Sequence, residues 1–457
     1  MLLKVVNPFN QKVYVELPYD ADTRVREKIH TARRALGQWR RLTLGDRIGA
    51  VREGLNYFRT HKQAIAEEIS CQMGKPLAQS SSEFGGFFER AEYMLDIAPQ
   101  ALAPDVLPPK KGFHRRIEHE PLGIVLDIAA WNYPLLIAVN VVVPALLAGN
   151  VVLIKHSAKT PLCGGHFETA FSSVMAGLVQ NLILTHDQTL AIFKEGLVDH
   201  AVFTGSVTGG REIYRAVAAH FIDVGLELGG KDAAYVAEDA DLAFTVPNVV
   251  DGACYNAGQS CCAVERAYVH RSCYDAFIEC AETVMSEYRL GDPLDENTTM
   301  GPLASRSAMD LLDRQVADAV ARGARLILGG KRMAATDGNF YLPTLLVDVP
   351  NDAAVMQAES FGPILPVLAV ESDQEAVEQM NDSRFGLTAS VWTGSRERAE
   401  WIGRRLRVGT VYQNRCDYLD PALPWTGVGD SGKGSSLSTY GYYHLTRRKS
   451  IHFRTET

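Results

Sequence analysis

The chain lacks a surplus of positive charge, a long apolar run and a dense set of cysteines, and each absence removes a class of function. Its 457 residues carry 46 Lys and Arg against 54 Asp and Glu, a formal net charge of −8. With no basic excess to neutralise phosphates, neither a nucleic acid nor an anionic membrane is an expected partner. Arg33-Arg34 and Arg447-Arg448-Lys449 read as solvated faces. The opening stretch, Met1 to Pro8, has too short an apolar run for a signal peptide. The longest apolar run, Leu135 to Ala148, is interrupted by Asn140 and Pro144 and falls short of a membrane span. Eight cysteines scattered over this length form no disulfide framework, so the expected setting is the cytoplasm. Internal repeats and low-complexity segments are missing too. What remains is a globular chain, 46% hydrophobic and 22% charged, long enough for two or three domains.

The densest chemistry lies in Gly252-Ala253-Cys254-Tyr255-Asn256-Ala257-Gly258-Gln259-Ser260-Cys261-Cys262-Ala263. Glycines, an Asn and a Gln among small residues describe a turn that backbone can share closely with a ligand, with a thiol at its end. A thiolate is a strong nucleophile near neutral pH, and nearby N–H groups ease its formation. A buried loop with two structural cysteines fits this stretch, taken alone, about as well. A metal site fits less well, because adjacent cysteines lack the spacing that turns both thiolates onto one zinc; no metal is expected.

The rest of the chain alternates strands and helices. Residues 20–70 hold amphipathic helices, with Val25, Ile29, Ala32 and Leu36 at helical spacing, ended by Met73-Gly74-Lys75-Pro76. Pro104 to Pro109 is a connector, and Arg115 to Glu120 alternates like a half-exposed strand. Gly123 to Ile128 and Val151 to Lys155 read as buried strands around a helix from Leu136 to Leu147, the unit of a parallel sheet. Ala201 to Ser206 is a further strand, running into a glycine turn before a helix from Arg211 to Ala219. The first half is therefore a doubly wound nucleotide-binding domain. A second α/β set follows Asp241, with strands at Ala267–Val269 and Arg325–Gly330, a strand start at Phe340–Thr344, and helices at Tyr274–Tyr288 and Ala308–Arg322.

Taken together, Trp131-Asn132-Tyr133-Pro134, Leu226-Glu227-Leu228-Gly229-Gly230-Lys231 and Asn256-x-Gly258-Gln259-x-Cys261 occur in the order found in the aldehyde dehydrogenase superfamily, which the chain resembles over nearly its whole length. The resemblance implies a Rossmann-like cofactor domain (1–102 and 122–227), an α/β catalytic domain (228–439) and a small β arm for oligomerisation (103–121 and 440–457). The arm and the tail strand Ser450 to Arg454 would pair with each other and with a neighbouring subunit, giving a homodimer or homotetramer. It implies Cys261 as nucleophile and Cys262 as its structural neighbour. Asn132 and the Cys261 N–H would stabilise an oxyanion, and Glu227 would act as the base that hydrolyses a thioester. Members that pass the acyl group to coenzyme A generally lack that Glu, so hydrolysis to the acid is expected. Two outside readings are a catalytically dead structural member and a cofactor-free thiol hydrolase of activated esters. Intact Cys261, Glu227 and Asn132 disfavour the first, and the second fits a side activity better.

For the cofactor, NAD or NADP, the resemblance implies binding by Trp131, Lys155, Ser157, Gly205, Ser206, Glu359 and Phe361. Glu359 would hold the nicotinamide ribose, with Phe361 beside the ring. Many members carry Glu where this chain has Ala158. Its absence removes a repulsion against a 2′-phosphate, which Ser157 and Lys159 could bind, so a slight lean to NADP follows. Departures also count. Gly177 to Leu182 lacks the usual Pro-x-Gly, and Ser431-Gly432-Lys433-Gly434-Ser435-Ser436 stands where Ser-Gly-x-Gly-Arg-Glu is usual, removing a second carboxylate from any proton relay of Glu227. Overall the sequence is similar to the short bacterial succinate-semialdehyde dehydrogenases. Their carboxylate-holding Arg falls here on Asn140. Arg415 is a possible replacement, or else an ion-pair partner of Asp417. Succinate semialdehyde is the candidate substrate, and an uncharged aliphatic or aromatic aldehyde is the alternative.

Overall fold

The computed structural model describes residues 2–334 and 336–456. Val151–His156, a run of apolar and β-branched residues, forms a strand with every residue buried, as parallel sheets covered on both faces require. It belongs to a six-stranded sheet. The chain starts that sheet at Ile124–Ala129, adds Val151–His156 and Val179–Asn181 on one side, then returns to lay His200–Thr204 and Asp223–Glu227 on the other. This is Rossmann-like doubly wound topology. Its reversal between Ile124–Ala129 and His200–Thr204 leaves a crevice at the strand carboxyl ends, where ligands of open α/β sheets bind. The sixth strand is Gly432–Lys433, antiparallel to Asp223–Glu227 with Gly432 opposite Glu227. This short return from the 228–439 segment into the first sheet was not expected. It depends on Gly432, whose φ is 122° and whose Cβ, if present, would lie 1.9 Å from the Leu226 carbonyl oxygen.

The second sheet has seven strands, ordered Arg325–Leu328, Thr344–Val347, Ile364–Val370, Val264–His270, Asp232–Val236, Thr388–Trp392 and Thr410–Gln413. All neighbours run parallel except the first pair. Each large sheet organises its own apolar core. The expected strand at 340–344 instead starts at Thr344. The helix expected from Leu136 runs from Pro134 to Ala148, because a proline suits the first helical turn. The helix expected from Arg211 begins at Val207, where Ser206 caps it by accepting the Gly209 N–H at 3.2 Å. In the third, three-stranded sheet, Thr446–Arg454 lies antiparallel to Phe113–Pro121, Lys449 opposite Glu118, with Asp105–Val106 on the far side. Among the described residues no helix is long and apolar enough to cross a membrane.

One buried ion pair holds the entrance of the first domain in register. The Lys75 ammonium lies 2.7 Å from the Glu83 carboxylate, and both side chains are sealed from solvent. The other Glu83 oxygen accepts the N–H groups of Leu135 at 2.8 Å and Leu136 at 3.2 Å, capping the helix that follows Asn132. Lys75 also sits 4.1 Å over the Tyr133 ring. Removing one partner leaves a buried charge alone, a loss of about 3–5 kcal/mol. Glu83→Ala is therefore expected to lower the urea unfolding midpoint by that equivalent; an unchanged midpoint contradicts this role.

Candidate active site

The helix Leu242–Cys254 runs into three successive left-handed residues, Asn256 (φ 53°), Ala257 (φ 55°) and Gly258 (φ 71°). That conformation costs a non-glycine residue about 1–2 kcal/mol and persists only where neighbours enforce it. Here the enforcement comes from side chains of the same motif. Asn256 Nδ2 donates to the carbonyls of Gln259 (3.1 Å) and Asn132 (3.3 Å). Gln259 Nε2 donates back to the Asn256 carbonyl at 3.0 Å, and its Oε1 accepts the Ala304 N–H at 2.9 Å. At Gly258 a Cβ would fall 2.3 Å from the Gly362 carbonyl oxygen, so glycine is required.

The loop then presents two unlike thiols. Cys262 is buried, and its thiol donates to Asp417 Oδ1 at 3.0 Å beside the Ser260 hydroxyl at 2.7 Å. Its hydrogen bond with Cys261, burial and the Asp417 carboxylate hold the Cys262 thiol far above its ordinary range, so it stays protonated. Cys261 is only half-buried and opens onto a cavity of about 360 Å³. Its backbone N–H makes no hydrogen bond among the described residues.

Asn132, Glu227 and Arg90 line the same cavity. The Asn132 side chain is buried and makes no hydrogen bond among the described residues, leaving its amide to the cavity. Glu227 ends the strand Asp223–Glu227, and its carboxylate accepts the Ser436 hydroxyl. Burial raises its pKa above the usual carboxylate range, an effect opposed first by Ser436 and then by Arg90. Such a shift moves a carboxylate towards a useful base near neutrality. Arg90, on the helix Leu77–Ala101, gives Nη1 to the Leu136 carbonyl at 3.3 Å and to Asn140 Oδ1 at 3.4 Å. Among the described residues it has no carboxylate within ion-pair distance.

The crevice of the first sheet carries a second constellation. Lys155 and Ser157 lie at the carboxyl end of Val151–His156, next to the switch point, while Gly205 and Ser206 follow His200–Thr204, one of its two strands. The Lys155 ammonium is largely buried without a hydrogen-bond partner among the described residues, and burial lowers its pKa. Gly205 packs on the Phe203 ring, where a Cβ would lie 2.7 Å away. Trp131 meets Phe361 edge-on at 5.5 Å, and the Lys159 ammonium sits 4.1 Å over the Trp131 ring. Glu359 accepts the Gly230 N–H at 3.2 Å; burial, then repulsion from Glu265, pushes its pKa up to about 8. Glu265 fixes this segment by accepting the N–H groups of Ser360 and Phe361 at 2.8 Å each and pairing with Lys231 at 2.6 Å. A helix start beneath a glycine turn, an unpaired ammonium and an aromatic wall fit an anionic dinucleotide.

Cys261, Glu227 and Asn132 thus meet in one cavity. Arg415 does not line it. Its guanidinium is exposed, 3.4 Å over the Tyr418 ring, and Asp417 points instead to Ser260 and Cys262. The physical reason is the Asp417 backbone, which at φ 46° turns its carboxylate inward. Arg90 and Glu83 were missed by the sequence reading, which named Asp417 only as an ion-pair partner for Arg415. No motif marks Arg90, whose role comes from the packing of Leu77–Ala101 against Pro134–Ala148.

Comparison with known proteins agrees with this geometry. The aldehyde dehydrogenase family model matches residues 1–451. An aldehyde dehydrogenase of Paenarthrobacter nicotinovorans is 32% identical over 440 residues, 95% of this chain and 96% of that protein. A succinate-semialdehyde dehydrogenase [NADP(+)] of Deinococcus radiodurans is 32% identical over 448 residues, 98% of this chain and 94% of that one. The crystal structure of betaine aldehyde dehydrogenase from Staphylococcus aureus in complex with NAD+ superposes with a TM-score of 0.95 at 29% identity, covering 100% of this chain and 92% of that one. A whole-length match in sequence and in fold, around a cavity that joins a thiol, a carboxylate and an amide, makes this chain a member of the aldehyde dehydrogenase family, an NAD(P)-dependent oxidoreductase.

Proposed function

We propose that the chain oxidises a short aldehyde bearing a remote carboxylate, succinate semialdehyde being the candidate, to the corresponding acid. The observation that carries this reading is the cavity that joins Cys261, Asn132 and Glu227 to Arg90, the one cation among its described lining residues. Cys261 attacks the aldehyde carbon, and the resulting oxyanion accepts hydrogen bonds from the Asn132 amide and the Cys261 N–H. A nicotinamide dinucleotide, which Lys155, Ser206 and Glu359 would help to hold, would supply the hydride acceptor needed to take this thiohemiacetal to a thioester. Glu227 then draws a proton from water as it attacks the thioester, releasing the acid and the thiol.

Arg90 supports the substrate class. A buried guanidinium without a carboxylate partner is costly, and a substrate carboxylate supplies the missing charge. The carboxylates lining the cavity do not compete for this site. Glu83 is paired with Lys75, Glu89 accepts the Tyr418 hydroxyl, Asp417 accepts the Ser260 hydroxyl and the Cys262 thiol, and neither Glu227 nor Asp251 makes an ion pair with Arg90 among the described residues. The relatives named succinate-semialdehyde dehydrogenases point the same way. A second reading, an uncharged or aromatic aldehyde, is favoured by Tyr133, Tyr255, Leu136 and Leu419 in the lining. The exposed Ala158 and the Ser157 hydroxyl support acceptance of NADP, whereas Lys159 is engaged with Trp131. The arm leaves Val106 83% and Phe453 57% exposed, which supports pairing with another copy of the chain. Free cysteines throughout the described chain suit a reducing cytoplasm.

A panel of succinate semialdehyde, short aliphatic and aromatic aldehydes tests the substrate. The semialdehyde is expected to have the highest kcat/KM, and Arg90→Gln to lower that value by at least roughly thirtyfold (about 2 kcal/mol) while changing uncharged aldehydes little. Preference for uncharged aldehydes together with an indifferent Arg90→Gln supports the second reading instead. With the best aldehyde, kcat/KM for NADP is expected within roughly a hundredfold of that for NAD, about 3 kcal/mol; a larger deficit rejects NADP acceptance.

A further inference from the structure

Behind Glu227 lies a second, much smaller cavity, of about 10 Å³, lined by Glu227, Asn140, Gly225, Lys433, Ser436 and His444 among others. It has room for about one water. Glu227 faces it through Ser436, whose hydroxyl is hydrogen-bonded to the carboxylate. On its far side His444 Nε2 is buried without a hydrogen-bond partner among the described residues. Two glycines make space for that ring: a Cβ would lie 2.7 Å from Nε2 at Gly225 and 2.9 Å from it at Gly434. His444 Nδ1 is not sealed in this way, and the ring as a whole is half-buried. The imidazole therefore has one nitrogen turned inward and one towards solvent.

The surroundings favour the neutral form of His444, whose Nε2 then offers a lone pair. Burial lowers its pKa, Asp223 opposes that shift and Lys433 reinforces it. His200, whose ring centre is 4.9 Å away, is pushed down to about 3 by burial and carries no charge near neutrality. Beyond His444, Lys433 and Asp223 approach within 3.4 Å with side chains 45% and 67% exposed, so the route ends at the surface.

We propose that Ser436 and His444 form a proton exit for Glu227, replacing the second carboxylate that the sequence lacks. The inference rests on the reading of Cys261 as nucleophile and Glu227 as base. The attacking water loses one proton to Glu227. Glu227 passes it to the Ser436 oxygen as Ser436 gives its own hydrogen to the intervening water. That water delivers a proton to His444 Nε2, and Nδ1 releases one to solvent. One proton leaves for each thioester hydrolysed, and the carboxylate, hydroxyl, water and imidazole return to their starting forms.

Hydrolysis of p-nitrophenyl acetate by the full-length enzyme isolates this step, since it needs no nicotinamide. Nitrophenolate release reads acylation, and decay of the acetyl adduct in quenched intact-mass spectra reads deacylation. In His444→Gln and in Ser436→Ala, acylation is expected to proceed at the wild-type rate while deacylation slows roughly tenfold. In His444→Ala, added imidazole is expected to restore deacylation. Deacylation unchanged in His444→Gln, acylation and deacylation falling together, or no rescue by imidazole overturns the relay while leaving the Cys261 reading intact. A wild-type enzyme that never acquires the acetyl group removes that reading, and the relay with it.

Discussion

A backbone that would not choose its own conformation is what the catalytic cavity depends on. Residues 256–258 lie in the left-handed region, two of them without the freedom of glycine. They stay there because Asn256 and Gln259 exchange side-chain bonds across the turn. The same Asn256 amide reaches the Asn132 carbonyl, which ties the turn to the residue assigned to the oxyanion. Conformational strain of a few kcal/mol is thereby offset by hydrogen bonds made in a dry environment, where each is stronger than in water. The outcome is a division of labour between neighbours: Cys262 is anchored on Asp417, and Cys261 is left facing the cavity.

Two buried ion pairs extend this rigidity outward. Lys75–Glu83 fixes the turn that carries Asn132, while Lys231–Glu265 fixes the segment that carries Glu359 and follows the Glu227 motif. Each is fully enclosed and supplemented by backbone donors, the condition under which a buried pair recovers its desolvation cost. Arg90 breaks the pattern. It too is buried, yet its partners are a carbonyl and an amide oxygen at long distances. Because it lines the cavity that Cys261 faces, that guanidinium reads as half of a contact completed by the substrate.

What the sequence made legible was local chemistry. The apolar run 151–154 could be little but a buried strand, and Asn-x-Gly-Gln-x-Cys carries its own geometry because its Asn and Gln bond within the motif. Glu227 and Asn132 were recognisable from their motifs, and each lies in the cavity with Cys261. Features made by packing were hidden. Arg90 sits in an ordinary helix and gains its meaning from the helix facing it. Arg415 looked like an anion site because Asp417 is near in sequence, but a left-handed Asp417 separates them. The substitution by Ser436 was visible as a loss; only the fold places His444 behind it.

The most direct measurement is peptide mapping of Glu227→Gln after incubation with NAD(P)+ and succinate semialdehyde. With the thiol, oxyanion donors and Arg90 intact and the base removed, the account predicts a succinyl thioester accumulating on Cys261. A succinyl group on Cys262, or no adduct on an enzyme that has bound both ligands, would contradict it.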